Sequence, residues 1–284
     1  MHLTYLGTNA LLIRKAGTTV LVDPHFTRPR IWHLFGKISA NPRAVAAGLE
    51  QNGVDRLDGV LLTHTHYDHA LDAAEVLRQA SGVLYGCGSA MNLVNHPGLD
   101  KQKITPGRRY QIGALTVVFH SSLHLPFPSL IDWLLPMDGQ ISRPLETPAW
   151  FWHYAVGRVW AIQVDQTLIF GSAGYLPNSY KNLDIETVVL GIGGLDSQPA
   201  AYLENFYREA VLNSGAGHVL LSHWDNFFKP AKQVDKPHFL VRRAITRIQA
   251  FGKKHGQKVD LLKIQEPLLI KPSGEWKPSH FAAG

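Results

Sequence analysis

The sequence predicts an α/β protein of two β-sheets flanked by helices, and three observations predict it. Residues 2–22 alternate in polarity and break at Gly7 and Gly17, as a meander of short strands does. Strands then alternate with amphipathic helices, and this β-rich order with helices occurs a second time in the C-terminal half. No linker or low-complexity stretch separates the halves, so residues 1–284 read as one domain.

Taken in order, residues 2–6, 10–14 and 18–22 are the opening strands. Asn41-Pro42 supplies an N-cap and a first-turn proline for a helix over 43–51. Residues 58–63 (DGVLLT) form an apolar strand, and 70–80 have helical periodicity with Leu71, Ala74 and Leu77 or Val76 on one face. Further strands are expected at 83–85, 115–120, 155–164, 167–170, 187–190 and 219–222. Helices are expected at 89–95, 199–212 and 239–254, the last with a basic, solvated face, and 261–270 closes the chain. Over 125–154 the pattern dissolves into five prolines interleaved with Phe127, Trp133, Trp150, Phe151 and Trp152. A loop insertion of that length in one domain is usually functional.

Composition narrows the chemistry. The 28 Lys+Arg exceed the 22 Asp+Glu by a net +6, but the basic residues are scattered, in pairs at most such as Arg108-Arg109, so nucleic acid is not the expected partner. A lone Cys87 excludes an internal disulfide, a zinc ribbon and an iron–sulfur cluster, leaving histidine and carboxylate as metal ligands. No stretch approaches the ~20 apolar residues of a membrane span, and the N-terminus lacks a secretory pattern, so the expected location is cytoplasmic.

The chemistry concentrates in His64-Thr65-His66-Tyr67-Asp68-His69, between a strand end and a helix start. His64 and His66 flank one residue and can address one ion, while Asp68 and His69 follow closely enough to address a second position. Imidazole nitrogen with carboxylate oxygen suits Zn2+, in one or two ions, with Mn2+ or Fe as alternatives.

This run, with Leu21-Val22-Asp23-Pro24, a later His after a strand, the turn Gly171-Ser172-Ala173-Gly174-Tyr175 and His223-Trp224, resembles the metallo-β-lactamase superfamily. Within it the chain is most similar to the compact hydrolases related to ascorbate-phosphate lactonase and N-acylphosphatidylethanolamine phospholipase D. The resemblance implies a four-layer αββα sandwich with a metal site at one edge. It assigns His64 and His66 to a first metal, and Asp68, His69 and His223 to a second. His120 and His124 compete for the remaining first-site place; His124 lies in the loop where the family's His sits and is favoured. Asp23 resembles the carboxylate that orients a ligand imidazole, although a turn Asp before Pro24 has the same appearance, and His25 can reach the site from the same loop.

One position departs from the family. Where its turn carries a metal-bridging Asp, this chain has Ser172. Asp68 would leave two divalent ions with an excess charge of about +2 after one hydroxide, so an anionic substrate would complete the site. Asp225 is a substitute carboxylate or else a loop cap. Trp133, Trp150 and Trp152 form a substrate wall or plain core. The expected function is a metal-dependent hydrolase acting on an ester-type bond (phosphodiester, lactone or carboxylester) of a small-molecule or lipid-like substrate. Asp68 is its expected catalytic residue, orienting the attacking water and carrying a proton. The alternative is a metal- or lipid-binding protein of the same fold with little turnover.

Overall fold

The computed structural model describes residues 1–94, 96–126 and 137–270. Alternating polarity at the N-terminus gives β1 (His2–Gly7), β2 (Ala10–Lys15) and β3 (Thr18–Val22), an antiparallel meander. A two-residue strand, β4 (Lys37–Ile38), follows. Parallel strands then extend the meander: β5 (Gly59–Leu61), β6 (Val83–Gly86) and β7 (Asp100–Lys103). The second half repeats the plan. β8 (Arg109–Ile112) and β9 (Leu115–Ser122) pair antiparallel; β10 (Ala149–Trp150) pairs with β4 apart from the sheet. β11 (Val159–Val164) and β12 (Thr167–Phe170) continue antiparallel, and β13 (Thr187–Gly191), β14 (His218–Ser222) and β15 (Lys258–Leu261) add in parallel. β16 (Pro267–Leu269) returns to pair with β1, so the first seven-stranded sheet has the order β16-β1-β2-β3-β5-β6-β7.

β5, β12 and β13 are buried at every residue, as central strands covered on both faces must be. One apolar cluster runs from Leu11 and Val20 in the first sheet to Phe119, Ile162 and Val189 in the second, so the sheets share a core. With helices flanking them, this is the expected two-sheet α/β architecture. α1 (Pro42–Gln51) starts where the Asn41 side chain accepts from the Arg43 and Ala44 amides, at 3.0 and 3.3 Å. α2 (Tyr67–Ala70) is one turn; α3 (Ala73–Ala80) buries Ala73, Val76, Leu77 and Ala80 in a single stripe. α4 (Gly88–Leu93), α5 (Ala200–Tyr207) and α6 (Arg242–Lys254) complete the helices used below. α6 buries Ala244, Ile248 and Gly252 while Arg242, Arg243, Arg247, Lys253 and Lys254 are exposed, the solvated basic face expected of it.

Several elements differ from expectation for local reasons. The helix expected at 70–80 is two: α2 begins inside the histidine run, and α3 resumes after Asp72. β7, Asp-Lys-Gln-Lys and exposed throughout, lacks apolar alternation because it is a charged sheet edge. Residues 261–270 are not one element, since β15 and β16 belong to different sheets. The loop over 125–154 contains β10 and a short helical turn at Phe151–His153; Trp133 lies outside the described residues.

Candidate metal centre

The carboxyl ends of two parallel strands, β5 and β14, and of the antiparallel strand β9 deliver the site. After β5 come Thr63, His64 and His66; after β14 comes His223; after β9 comes His124. His66 is extended (φ −60°, ψ 151°), and α2 starts immediately behind it, which turns Asp68 and His69 onto a helical first turn. The structure gathers two groups whose ligand atoms lie within 4.8 Å of one another: His64, His66 and His124, and Asp68, His69 and His223. The His64 and His69 rings, 3.9 Å apart between centroids, bring the groups side by side. Asp68 Oδ2 stands 3.3 Å from His223 Nε2 and 3.6 Å from His69 Nε2. His120 turns away, its Nε2 2.9 Å from Gln163 Oε1 across the β9–β11 pair, so His124 is the residue that joins.

The imidazoles are oriented from behind. His69 Nδ1 donates to Asp23 Oδ2 at 2.8 Å, and His124 Nδ1 donates to the Leu125 carbonyl at 2.8 Å. Thr63 Oγ1 donates to Asp23 at 2.5 Å and lies 3.0 Å from His64 Nδ1, whose proton it can accept. A hydrogen bond to the Met137 main chain holds His66. Pinning Nδ1 presents Nε2 to an ion and fixes the tautomer. Asp23 is wholly buried and also accepts from the Thr63 amide at 2.8 Å and from Asn9 Nδ2 at 2.9 Å; Asn9 in turn accepts from Ser222 at 2.8 Å, tying both halves to one carboxylate.

Burial first, then neighbouring imidazoles, presses His64 and His124 well below the usual histidine range. Burial also brings His66 down to about 4, against the pull of Asp68. These rings are neutral at neutral pH, as metal ligation requires. Burial alone would raise Asp68, but His69, His223 and His66 hold its carboxyl well below the usual range. For His69 burial acts downward, and Asp68 and Asp23 outweigh it, raising the ring.

The structure also places the other two candidate polar residues, Asp225 and Ser172. Asp225 belongs to neither donor group. It is buried, ion-paired with Arg28, and accepts from Tyr5 Oη at 2.5 Å and the Thr8 amide at 2.7 Å. Ser172 Oγ accepts from the Leu125 amide at 2.9 Å, so it braces the His124 loop. Trp150 and Trp152 stack on each other (centroids 4.8 Å, 11°), and it is Phe151 between them that meets Tyr67 edge-on at 5.9 Å. Phe227, unmarked in the sequence, packs on His223 and Tyr67 at 5.6 and 6.5 Å. His25 lies edge-on to Tyr67 at 6.3 Å, and its buried ring nitrogens have no hydrogen-bond partner among the described residues. The glycine run at 191–194 has a spatial reason: a Cβ on Gly193 would lie 2.7 Å from His223 Nδ1. Cys87 is a buried free thiol.

A two-sheet sandwich carrying paired His/Asp groups at its strand ends defines a metalloprotein class. The chain belongs to the metallo-beta-lactamase superfamily, whose family model matches residues 3–159, more than half its length. It is 30% identical over 133 residues to a UPF0173 metal-dependent hydrolase of Nitratidesulfovibrio vulgaris, an alignment covering 43% of this chain and about half (48%) of that relative. Among solved structures it is similar in fold to a metallo hydrolase from the archaeon Ignicoccus hospitalis (TM-score 0.61, 16% identity, 95% of this chain and 99% of that one). An isothiocyanate hydrolase from Delia radicum gut bacteria is similar too (TM-score 0.57, 17% identity, 96% and 100%). Among the described residues no helix is long and apolar enough to cross a membrane.

Proposed function

We propose that this chain is a metal-dependent hydrolase of ester-type bonds in a small-molecule substrate that is anionic or partly apolar. The observation that carries the reading is the side-by-side placement of the two donor groups. Three imidazoles facing a carboxylate with two imidazoles fit divalent zinc, with manganese or iron as alternatives. The buried Nε2 of His64 has no hydrogen-bond partner among the described residues, the kind of orphaned atom that an ion satisfies. In this reading His64, His66 and His124 hold one ion and Asp68, His69 and His223 the other. Such an ion supplies Lewis acidity, making water acidic enough to attack near neutral pH and polarising the bond attacked.

The chain's own residues do the rest. Asp23 keeps His69 in the ligating tautomer. Asp68, held ionised, accepts the proton of the attacking water and passes it toward the leaving group. Tyr67, Phe151 and Phe227 wall the site with apolar surface, with Trp150 and Trp152 flanking Phe151. The names of the relatives support hydrolysis as the reaction class; the isothiocyanate-acting neighbour makes bond type the matter for a substrate panel.

Metal analysis of purified protein should give about one to two equivalents, falling in His66→Ala; under about a tenth of an equivalent overturns the reading. A panel of phosphodiester, phosphomonoester, lactone, thioester and carboxylester substrates should reveal one class whose turnover disappears in His66→Ala. Activity that survives this substitution, or turnover confined to thioesters, overturns the assignment. The binding-protein alternative draws on Ser172 and Asp225 both being engaged elsewhere. Full metal loading with no turnover across the panel selects it.

A further inference from the structure

Among the described residues seven large apolar side chains are exposed, and five of them, Ile31, Trp32, Phe35, Phe239 and Leu240, come from two short helical turns. All but Phe35 line one groove of about 620 Å³, within the usual range of small-ligand sites. Phe35, in the same turn as Ile31 and Trp32, is 85% exposed. Such a concentration, when the other exposed large apolar side chains among the described residues are Leu123 and Leu269, marks a binding surface.

The charge of the groove selects the ligand. Among the described residues its lining includes Arg30 and Lys229 and no Asp or Glu. The Arg30 guanidinium lies over the Trp32 ring at 5.2 Å, placing a cation on the apolar wall. The flanking segment 229–243 holds Lys229, Lys232, Lys236, Arg242 and Arg243 against Asp235. The groove also adjoins the donor groups: Asn226 and Phe228 line it, Phe227 between them packs on His223, and the His238 amide donates to the Trp224 carbonyl at 2.8 Å.

We propose that this groove seats the apolar chain of an amphiphilic anion, with Arg30 and Lys229 facing its charged group. The proposal deepens the hydrolase reading, on which it rests for its link to catalysis, by giving the substrate class. An acyl or alkyl chain lies along Ile31, Trp32, Phe239 and Leu240, and the rest of the molecule extends along the Asn226–Phe228 segment toward His223. A bound monomer is favoured over a lipid surface because these side chains line an open groove whose volume suits one small ligand.

The test is calorimetric titration of metal-free protein with dodecyl phosphate below its micelle concentration, with butyl phosphate, and with phosphatidylglycerol vesicles. Removing metal separates this proposal from the hydrolase reading, since binding then owes nothing to turnover. Dodecyl phosphate should bind near one equivalent, at least about tenfold more tightly than butyl phosphate. Ile31→Ser/Phe239→Ser, both at exposed positions, should remove that preference, and Arg30→Glu/Lys229→Glu should weaken dodecyl phosphate at least about fivefold, less so at high salt. Equal affinity for the two chain lengths, or a preference unchanged in the double serine variant, overturns the proposal. Binding to vesicles without binding to monomers overturns it in favour of membrane docking. Self-association abolished by Phe239→Ser, with no ligand bound, overturns it in favour of a second copy as the occupant.

Discussion

Arg28→Met isolates a deeply buried ion pair beside the site. The Arg28 side chain is 4% exposed and that of Asp225 is 0% exposed, and their contact joins the loop after β3 to the turn after β14. Removing one partner of such a pair leaves an uncompensated buried charge, at a cost of about 3–5 kcal/mol. Tyr5 Oη and the Thr8 amide still donate to Asp225, which places the cost toward the lower end, about 3 kcal/mol. For a chain of 284 residues the unfolding entropy is about 0.6 kcal/mol per kelvin, so the melting temperature should fall by about 5 °C.

The assay is urea and thermal unfolding of metal-free protein, with metal stoichiometry measured in parallel. Arg28→Met/Asp225→Asn, which removes both charges and keeps an acceptor for Tyr5 and Thr8, should recover part of the loss. The pH dependence has a defined sign. Burial pushes Asp225 up, but Arg28, Tyr5 and His223 bring it below its ordinary value in the folded protein. Its contribution is therefore present above the unfolded carboxylate value of about 3.9 and lost as pH falls through the lower folded value. The gap between wild type and Arg28→Met should close in acid. Unchanged stability with loss of metal would show that Asp225 serves the ions, and would refute the ion-pair account.

Asp23→Ala should weaken metal binding by about 10- to 100-fold, measured by chelator competition, because His69 loses its Nδ1 partner; unchanged affinity would remove Asp23 from that role. Asp72 accepts from the Phe26 and Thr27 amides and from Thr27 Oγ1, yet burial outweighs those bonds and brings it up to about 6. Its penalty is absent below the unfolded value of about 3.9, grows toward pH 6 and is constant above. Asp72→Asn should therefore gain stability relative to wild type between those values, read from urea midpoints at pH 4 and 7, and parallel curves would refute the sign.

What could be read from the chain was local. Six consecutive residues carry the pattern of His64, His66, Asp68 and His69 because one strand end and one helical turn position them all. The Asn41 cap was legible for the same reason, since its partners are two and three residues away. Arg28 and Asp225 are 197 residues apart, and no spacing rule pairs them before the halves fold. Phe227 resembles any loop aromatic until β14 and α2 meet. Ser172 drew notice through its family position, but its bond to Leu125 depends on how the β9 and β12 ends come together. β7 escaped because a polar edge strand carries no burial signal.

Ser172 is also where charge and geometry can be separated. The Arg28 pairing cancels the charge of Asp225, so Asp68 is the carboxylate within the two donor groups, and two divalent ions would keep excess positive charge. Ser172→Asp adds a negative charge while retaining an acceptor for the Leu125 amide, so the His124 loop can stay braced. It should tighten the weaker metal equivalent by about tenfold or more and weaken phosphate, whose charge the wild-type site would otherwise recruit. Ser172→Ala is the geometric control: it removes the brace without adding charge, so it should loosen the group containing His124 and leave phosphate affinity per bound ion unchanged. Calorimetric titration of zinc and then phosphate into both variants separates the effects. If Ser172→Asp changes neither metal affinity nor phosphate binding while Ser172→Ala lowers metal binding, residue 172 acts through the loop, and its side chain does not face the ions.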